Sequence, residues 1–259
     1  MNSNTPENIL KRDRLIVVSG LFLMCTLSWW YVIYLYRQMY PMNMDALFFA
    51  MPMTSAWSST DFILLFLMWL VMMMAMMIPS VTPLILIFAM VNRKRKQQQT
   101  PFVPTAYLFA GYFLVWAIFS LLATIMQWLL QQLAWLNPEM VVTNTILSGL
   151  ILIAAGLFQF SSLKQTCLRY CQTPVEFIHR KWKEGRKGAL IMGMVNGIYC
   201  LGCCWFLMVL LFVSGIMNLL WIALIALFVL IEKVLSRLKW VSFIAGAVLI
   251  IYGLVILLK

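Results

Sequence analysis

Residues 62–91 read FILLFLMWLVMMMAMMIPSVTPLILIFAMV, an apolar run without a charged side chain. A helix that crosses a bilayer needs about 20 consecutive, mostly apolar residues, so this run is long enough to span one. The rest of the chain is similar, since 64% of its 259 residues are hydrophobic and 10% are charged. A soluble domain has about 45–50% apolar residues. The sequence therefore predicts an integral membrane protein built from α-helices.

Six further apolar runs resemble the first. Together they predict seven spans, near residues 15–36, 62–91, 106–130, 143–162, 188–213, 217–231 and 241–258. No repeat or change of composition divides the chain. We therefore predict an all-α, polytopic membrane helix bundle of about seven helices that forms one transmembrane domain, residues 1–259.

The basic residues follow the order of these spans. Lys and Arg accumulate in cytoplasmic loops of membrane proteins, and an N-terminus inside places every Lys and Arg except Arg37 and Lys259 on the inner side. The predicted cytoplasmic loops lie near 93–101, 164–187 and 232–240. The net charge of +11 is then explained by topology and by attraction to anionic lipid headgroups. Its expected partner is the lipid bilayer and not nucleic acid.

Six methionines lie between residues 68 and 80. At helical spacing Met72 and Met76 share one face and Met73 and Met77 the next, so the second span presents adjoining columns of thioether sulfur. Methionine also fills gaps in apolar cores, and packing is the alternative interpretation. Pro79 then interrupts the helical hydrogen bonds, as does Pro83, which predicts a break or kink with freed carbonyls that need partners.

Cysteine provides separate evidence for a site. The fifth span contains NGIYCLGCCWFLM, residues 196–208, with Cys200, Cys203 and Cys204 inside an apolar helix. Thiolates and thioethers are soft ligands that select Cu(I), while carboxylates are scarce in the spans and His179 is the only histidine. Buried, inert cysteine is the alternative. The pattern favours Cu(I) as the bound metal.

Depth in the membrane relates the two clusters. The second span runs from outside to inside and the fifth runs back, so Met72–Met77 and Cys200–Cys204 both lie near the bilayer centre. Thiolates would neutralise a monovalent cation there and methionine sulfurs would complete its shell. We expect a metal site between these spans, formed by Met72, Met73, Met76, Met77, Cys200, Cys203 and Cys204.

Another cysteine pair occurs in SSLKQTCLRYCQTP, residues 161–174. Cys167 and Cys171 are four residues apart, on one helical face, near the inner end of the fourth span. Reduced cytosolic thiols favour metal capture or release over a structural disulfide, and a redox role is the alternative. Glu232, next to Lys233 at the inner end of the sixth span, is either part of an interfacial ion pair or a relay for protons displaced by metal.

These residues resemble a family: the bacterial predicted metal-binding integral membrane proteins, long grouped as a domain of unknown function, which include copper-chaperone-like proteins that serve tyrosinases. The matching stretches are W-x-x-M-M-x-A-M-M-x-P-S-x-x-P from Trp69, GYFLVW from Gly111, K-x-x-C-L-x-x-C from Lys164, YCLGCCWFLM from Tyr199, GIMN from Gly215, and Glu232-Lys233. Many members carry histidine where this chain has Tyr170 and Asn196. The resemblance implies copper handling.

The sequence thus predicts a membrane protein that handles Cu(I), as a copper chaperone or transporter that delivers copper to a cuproenzyme or across the inner membrane. A copper chaperone is a further possible partner. Two other classes are open: a membrane thiol or copper-dependent oxidoreductase, and an assembly subunit without metal. A thiol oxidoreductase would need an accessible CxxC at a helix N-terminus, whereas Cys200 and Cys203 lie within a span.

Reporter fusions test the topology. Fusions after Arg95 and after Lys183 are expected to report a cytoplasmic location, because basic loops are retained inside. A fusion after Asn137 is expected to report a periplasmic one. Opposite results at any two of these sites would remove the common depth of the methionines and cysteines.

Overall fold

The computed structural model describes residues 6–39, 58–99, 102–136, 141–216, 218–234 and 239–258. The regular elements in these ranges are helices: α1 (Pro6–Met39), α2 (Ser59–Gln97), α3 (Thr105–Gln132), α4 (Thr145–Phe160), α5 (Ser162–Gln172), α6 (Pro174–Lys181), α7 (Gly185–Val209), α8 (Leu211–Ser214), α9 (Leu219–Val234) and α10 (Lys239–Leu257). The predicted all-α class is confirmed. Parts of two predicted loops, 100–101 and 235–238, lie outside the described residues.

Each predicted span coincides with a helix, but not every helix is long enough to cross a bilayer. Five apolar segments have the required length, Val17–Arg37, Ser59–Arg95, Thr105–Gln132, Gly185–Ser214 and Trp240–Leu257. Helices α4 and α5, which meet at a bend of 62°, make a sixth if the pair is one span. Helix α9 has 16 residues, fewer than the roughly 20 of a full crossing. The described chain therefore contains five or six candidate membrane spans, whereas the sequence predicted about seven.

A break or a kink was predicted at the two prolines of α2. The helix continues through both of them, which excludes the break. Pro79 has no N–H for the carbonyl four residues earlier, that of Ala75. The indole Nε1 of Trp29, on α1, donates to this Ala75 oxygen at 3.1 Å. Ser80 Oγ donates to Met77 O at 2.8 Å. The carbonyl that Pro79 leaves without its helical donor, Ala75 O, thus has the substitute partner that a freed carbonyl needs in an apolar interior.

Helices α3 and α7 cross in close backbone contact. A Cβ on Gly111 would lie 2.0 Å from Leu190 O, and a Cβ on Gly193 would lie 2.0 Å from Leu108 O. Any larger side chain at either glycine would push the two helices apart. Small residues at a crossing are the usual means of close helix packing in apolar surroundings. This contact holds Tyr112 of α3 beside the cysteine segment of α7.

Helices α4 and α10 form a second close pair through glycines two helical turns apart. A Cβ on Gly156 would lie 2.7 Å from Gly246 O, and a Cβ on Gly253 would lie 2.9 Å from Gly149 O. The two helices therefore run antiparallel. Their contact anchors α10 against the chain segment that leads into α5.

The predicted loop 164–187 contains two helices, α5 and α6. The bend after α4 turns α5 back so that it packs against α7. Lys164, expected in a solvated loop, is only 1% exposed. Its Nζ donates to Glu232 Oε1 at 2.6 Å and also to Gln159. Lys164 departs from the expectation because a buried carboxylate compensates its charge.

Substitution of Gly111 by Val tests the α3–α7 contact. The added side chain overlaps the Leu190 carbonyl, and overpacking of this kind costs about 1–3 kcal/mol or more. We expect a lower thermal unfolding temperature of the purified protein. The control is Gly20→Val, because a Cβ at Gly20 meets no atom within 4 Å. Equal stability of the two variants would contradict the crossing.

Candidate functional site

A small cavity lies where α2, α3, α5, α7 and α9 meet. It is just large enough for a water molecule or a single ion. Its walls are formed by Ser80, Val81, Pro83, Leu84, Tyr112, Cys171, Asn196, Cys200 and Lys233. The site is thus assembled from residues that are up to 153 positions apart in the chain, and each helix supplies one or a few of them.

Cys200 makes the most polar contacts in this cavity. Lys233 Nζ lies 2.9 Å from its Sγ, and Tyr112 Oη lies 3.1 Å from the same sulfur. Lys233 Nζ also donates to Ser80 Oγ at 3.0 Å. Lys233 and Cys200 are both buried. The cavity therefore holds a fixed positive charge directly beside a thiol, in an otherwise apolar interior.

Cys171 lines the same cavity and lies close to Cys200 and Cys203. The sequence predicts that Cys167 and Cys171 lie apart from the other cysteines, near the inner end of the fourth span. The return of α5 onto α7 removes that separation. Cys167, one turn earlier, packs toward Gly202, where an added Cβ would lie 2.8 Å from its sulfur. Cys171 and Cys200 are therefore the two cysteines that face the cavity.

Cys203 and Cys204 turn toward their own helix. Their Sγ atoms donate to the Cys200 carbonyl at 3.0 and 2.9 Å, a common arrangement for small polar side chains within helices. In the described ranges, no three or more His, Cys, Asp or Glu side chains are grouped so that they could hold a metal ion. In this conformation the cavity presents two thiols, with two more one turn away.

Met72, Met73, Met76 and Met77 are fully buried in α2. They precede the turn of α2 that lines the cavity, and none of these four side chains is among its described lining residues. The nearest connection is Tyr112, whose Oη donates to the Met77 carbonyl at 3.4 Å and also contacts Cys200. One tyrosine thus connects the backbone of the methionine run to Cys200, and the predicted ligation of a metal by these methionines stays a prediction.

Glu232 and Lys233 do not form an interfacial ion pair, because both are buried and face different partners. Successive residues of a helix point about 100° apart. Glu232 accepts from Lys164, and its carbonyl accepts from Gln172 Nε2 at 2.7 Å. Lys233 instead enters the cavity. The role of Glu232 as a proton relay stays a prediction.

Sequence reasoning missed Lys233, Tyr112 and Ser80 as residues of the site. Lys233 carried one signal, a charge at the end of an apolar run, and this was interpreted as interfacial. Tyr112 lies inside the matching stretch GYFLVW, and Ser80 lies inside the stretch that begins at Trp69, but neither side chain indicates its partner from sequence alone.

Comparison with protein families gives one match, to the family model PpoB2, described as copper chaperone, over residues 66–256. The matched range includes the methionine run, all cysteines of the cavity region and Lys233. Neither the curated proteins nor the solved structures yield a match. Because the match covers most of its length, the chain belongs to the PpoB2 copper chaperone family.

Proposed function

We propose that this protein resides in the bacterial inner membrane, binds Cu(I) between the thiols of Cys171 and Cys200, and passes the ion to a cuproenzyme or across the membrane. The observation that carries the proposal is a cavity of single-ion size in which the buried thiol of Cys200 and the partly buried thiol of Cys171 meet one buried ammonium. Copper is cargo here and not a resident cofactor.

The charges of the cavity suit a monovalent ion. Two thiolates and one Cu(I) carry a net charge of −1, which the Lys233 ammonium beside Cys200 neutralises. An uncompensated charge in an apolar interior is costly, so a neutral assembly is strongly favoured. A divalent ion would leave the same group with an excess positive charge. The arrangement therefore supports Cu(I) over divalent competitors.

The donor chemistry supports the same ion. Soft sulfur ligands select Cu(I), whereas carboxylates suit harder cations. The described lining of the cavity includes sulfur, hydroxyl, amide and ammonium groups but no carboxylate. Glu232, the closest candidate, is engaged by Lys164. Cys203 and Cys204 provide additional sulfur if their thiols leave the Cys200 carbonyl.

The outer surface of the bundle supports a membrane location. Phe22 and Trp30 on α1, and Trp240 and Ile251 on α10, are more than half exposed. Large apolar side chains exposed along whole helices are unusual for a soluble domain and suit contact with lipid. Copper handling, apart from its location, agrees with the description of the family as copper chaperone.

Serine substitutions test the two cavity thiols. We expect Cys200→Ser and Cys171→Ser each to lose bound copper, because each removes one of two anionic ligands. The measurement is metal content and chelator competition after reduced, purified protein is titrated with Cu(I).

The matched control is Cys167→Ser, one turn from Cys171 on the same helix but directed toward Gly202. It is expected to retain copper. Equal loss in Cys167→Ser and Cys171→Ser would contradict the assignment of Cys171 to the cavity. Retention of copper in Cys200→Ser would contradict the site as a whole.

Substitution of Lys233 tests the charge balance. Lys233→Met keeps an extended side chain but removes the ammonium, so the copper dithiolate loses its counter-charge. We expect Cu(I) affinity to fall by at least about tenfold, which is about 1.4 kcal/mol. Lys233→Arg is expected to retain more affinity than Lys233→Met. Lys181→Met, at an exposed position, is the control and is expected to bind as the unmodified protein does.

A further inference from the structure

A column of polar side chains runs along the buried face of α3. Its members follow one another at helical spacing, and all are fully buried: Tyr112, Trp116, Ser120, Thr124 and Gln127. Buried polar atoms are nearly always hydrogen-bonded. Within the described chain, however, Trp116 Nε1 and Ser120 Oγ have no hydrogen-bond partner. Two unpaired polar atoms next to each other in one column require an explanation.

The two ends of the column are attached to α2. At one end, Trp69 Nε1 donates to Gln127 Oε1 at 2.7 Å. At the other, Tyr112 Oη donates to Met77 O at 3.4 Å and contacts Cys200. These contacts show that α2 and α3 run antiparallel. The column therefore ends at the thiol cavity.

The methionine run occupies the stretch of α2 between these two contacts. Met72, Met73 and Met76 follow Trp69 and precede the Met77 carbonyl, and α2 packs against α3. All three methionines are buried. Thioethers of α2 and the unpaired polar atoms of α3 thus lie in one interior layer, which leads from the Trp69–Gln127 contact to Cys200.

We propose that this layer, formed by the methionine run of α2 and the polar column of α3, is the path by which Cu(I) reaches the thiol cavity. The inference rests on the proposed function and specifies the route to the same site. Movement along a path requires sites that bind well enough to admit an ion but weakly enough to release it. Neutral thioethers are soft and weak donors, whereas the cavity thiolates add charge and retain the ion.

The unpaired atoms fit this role. The Ser120 hydroxyl offers an oxygen donor that no neighbouring group in the described core occupies. The unpaired Nε1 of Trp116 offers a hydrogen-bond donor to a water molecule that accompanies the ion. Methionine in this layer therefore assists passage, and cysteine at its end retains copper.

Loading kinetics test the path. The variant Met72→Leu, Met73→Leu, Met76→Leu and Met77→Leu conserves volume closely but removes four sulfurs. We expect Cu(I) loading of the purified protein, reconstituted in lipid, to slow by at least about tenfold, while the copper bound at equilibrium stays unchanged. Ser120→Val narrows the layer without a change to any methionine and is expected to slow loading as well.

Met192→Leu is the matched control. Met192 is also buried, but it lies on α7 where its sulfur accepts from Lys183 N at 3.4 Å. Its loading rate should equal that of the unmodified protein. Unchanged rates in both the quadruple variant and Ser120→Val would overturn the path. Loss of equilibrium copper in a folded quadruple variant would overturn it too, because the methionines would then retain the ion. Unmodified protein that binds no Cu(I) would overturn the proposed function itself.

Discussion

The ammonium of Lys233 next to the thiol of Cys200 is the contact on which the interior of this protein depends. A buried ammonium is costly unless its partners are close and well oriented. Cys200 lies at 2.9 Å and Ser80 at 3.0 Å. To supply these partners, α2, α7 and α9 must converge on one point. The same convergence creates the cavity. The Lys233 ammonium, which is costly to bury, therefore also fixes the position of the candidate site.

The neighbouring residue places a second constraint on the bundle. Glu232 pairs with Lys164 in the interior, which holds the start of α5 against α9. Since α5 is then fixed against α7, Cys171 comes to lie beside Cys200. Glu232 and Lys233 are adjacent in the chain but have different roles. Glu232 positions α5, and Lys233 provides the positive charge beside Cys200.

Much of the site follows from sequence, but its division of roles does not. Soft ligands, copper and the common depth of Met72–Met77 and Cys200–Cys204 were expected from residue type and spacing. The contribution of Cys171 to the same cavity was not, because local pattern cannot show that α5 bends back. Nor could it show that Cys203 and Cys204 bond the Cys200 carbonyl, or that the methionines lie beside the cavity and not around it.

By itself, the sequence determined the helical class, the approximate positions of the helices and the presence of a sulfur-rich interior. These properties depend on apolar length and on residue chemistry, which are local. Tertiary structure alone decided which sulfurs face one another, which lysine enters the core and which carbonyl receives the Trp29 indole. Such pairings join residues far apart in the chain, and their geometry depends on helix crossings that Gly111 and Gly193 permit. The sequence shows which residues carry sulfur donors, but only the packing of the helices brings Cys171 and Cys200 to the same cavity.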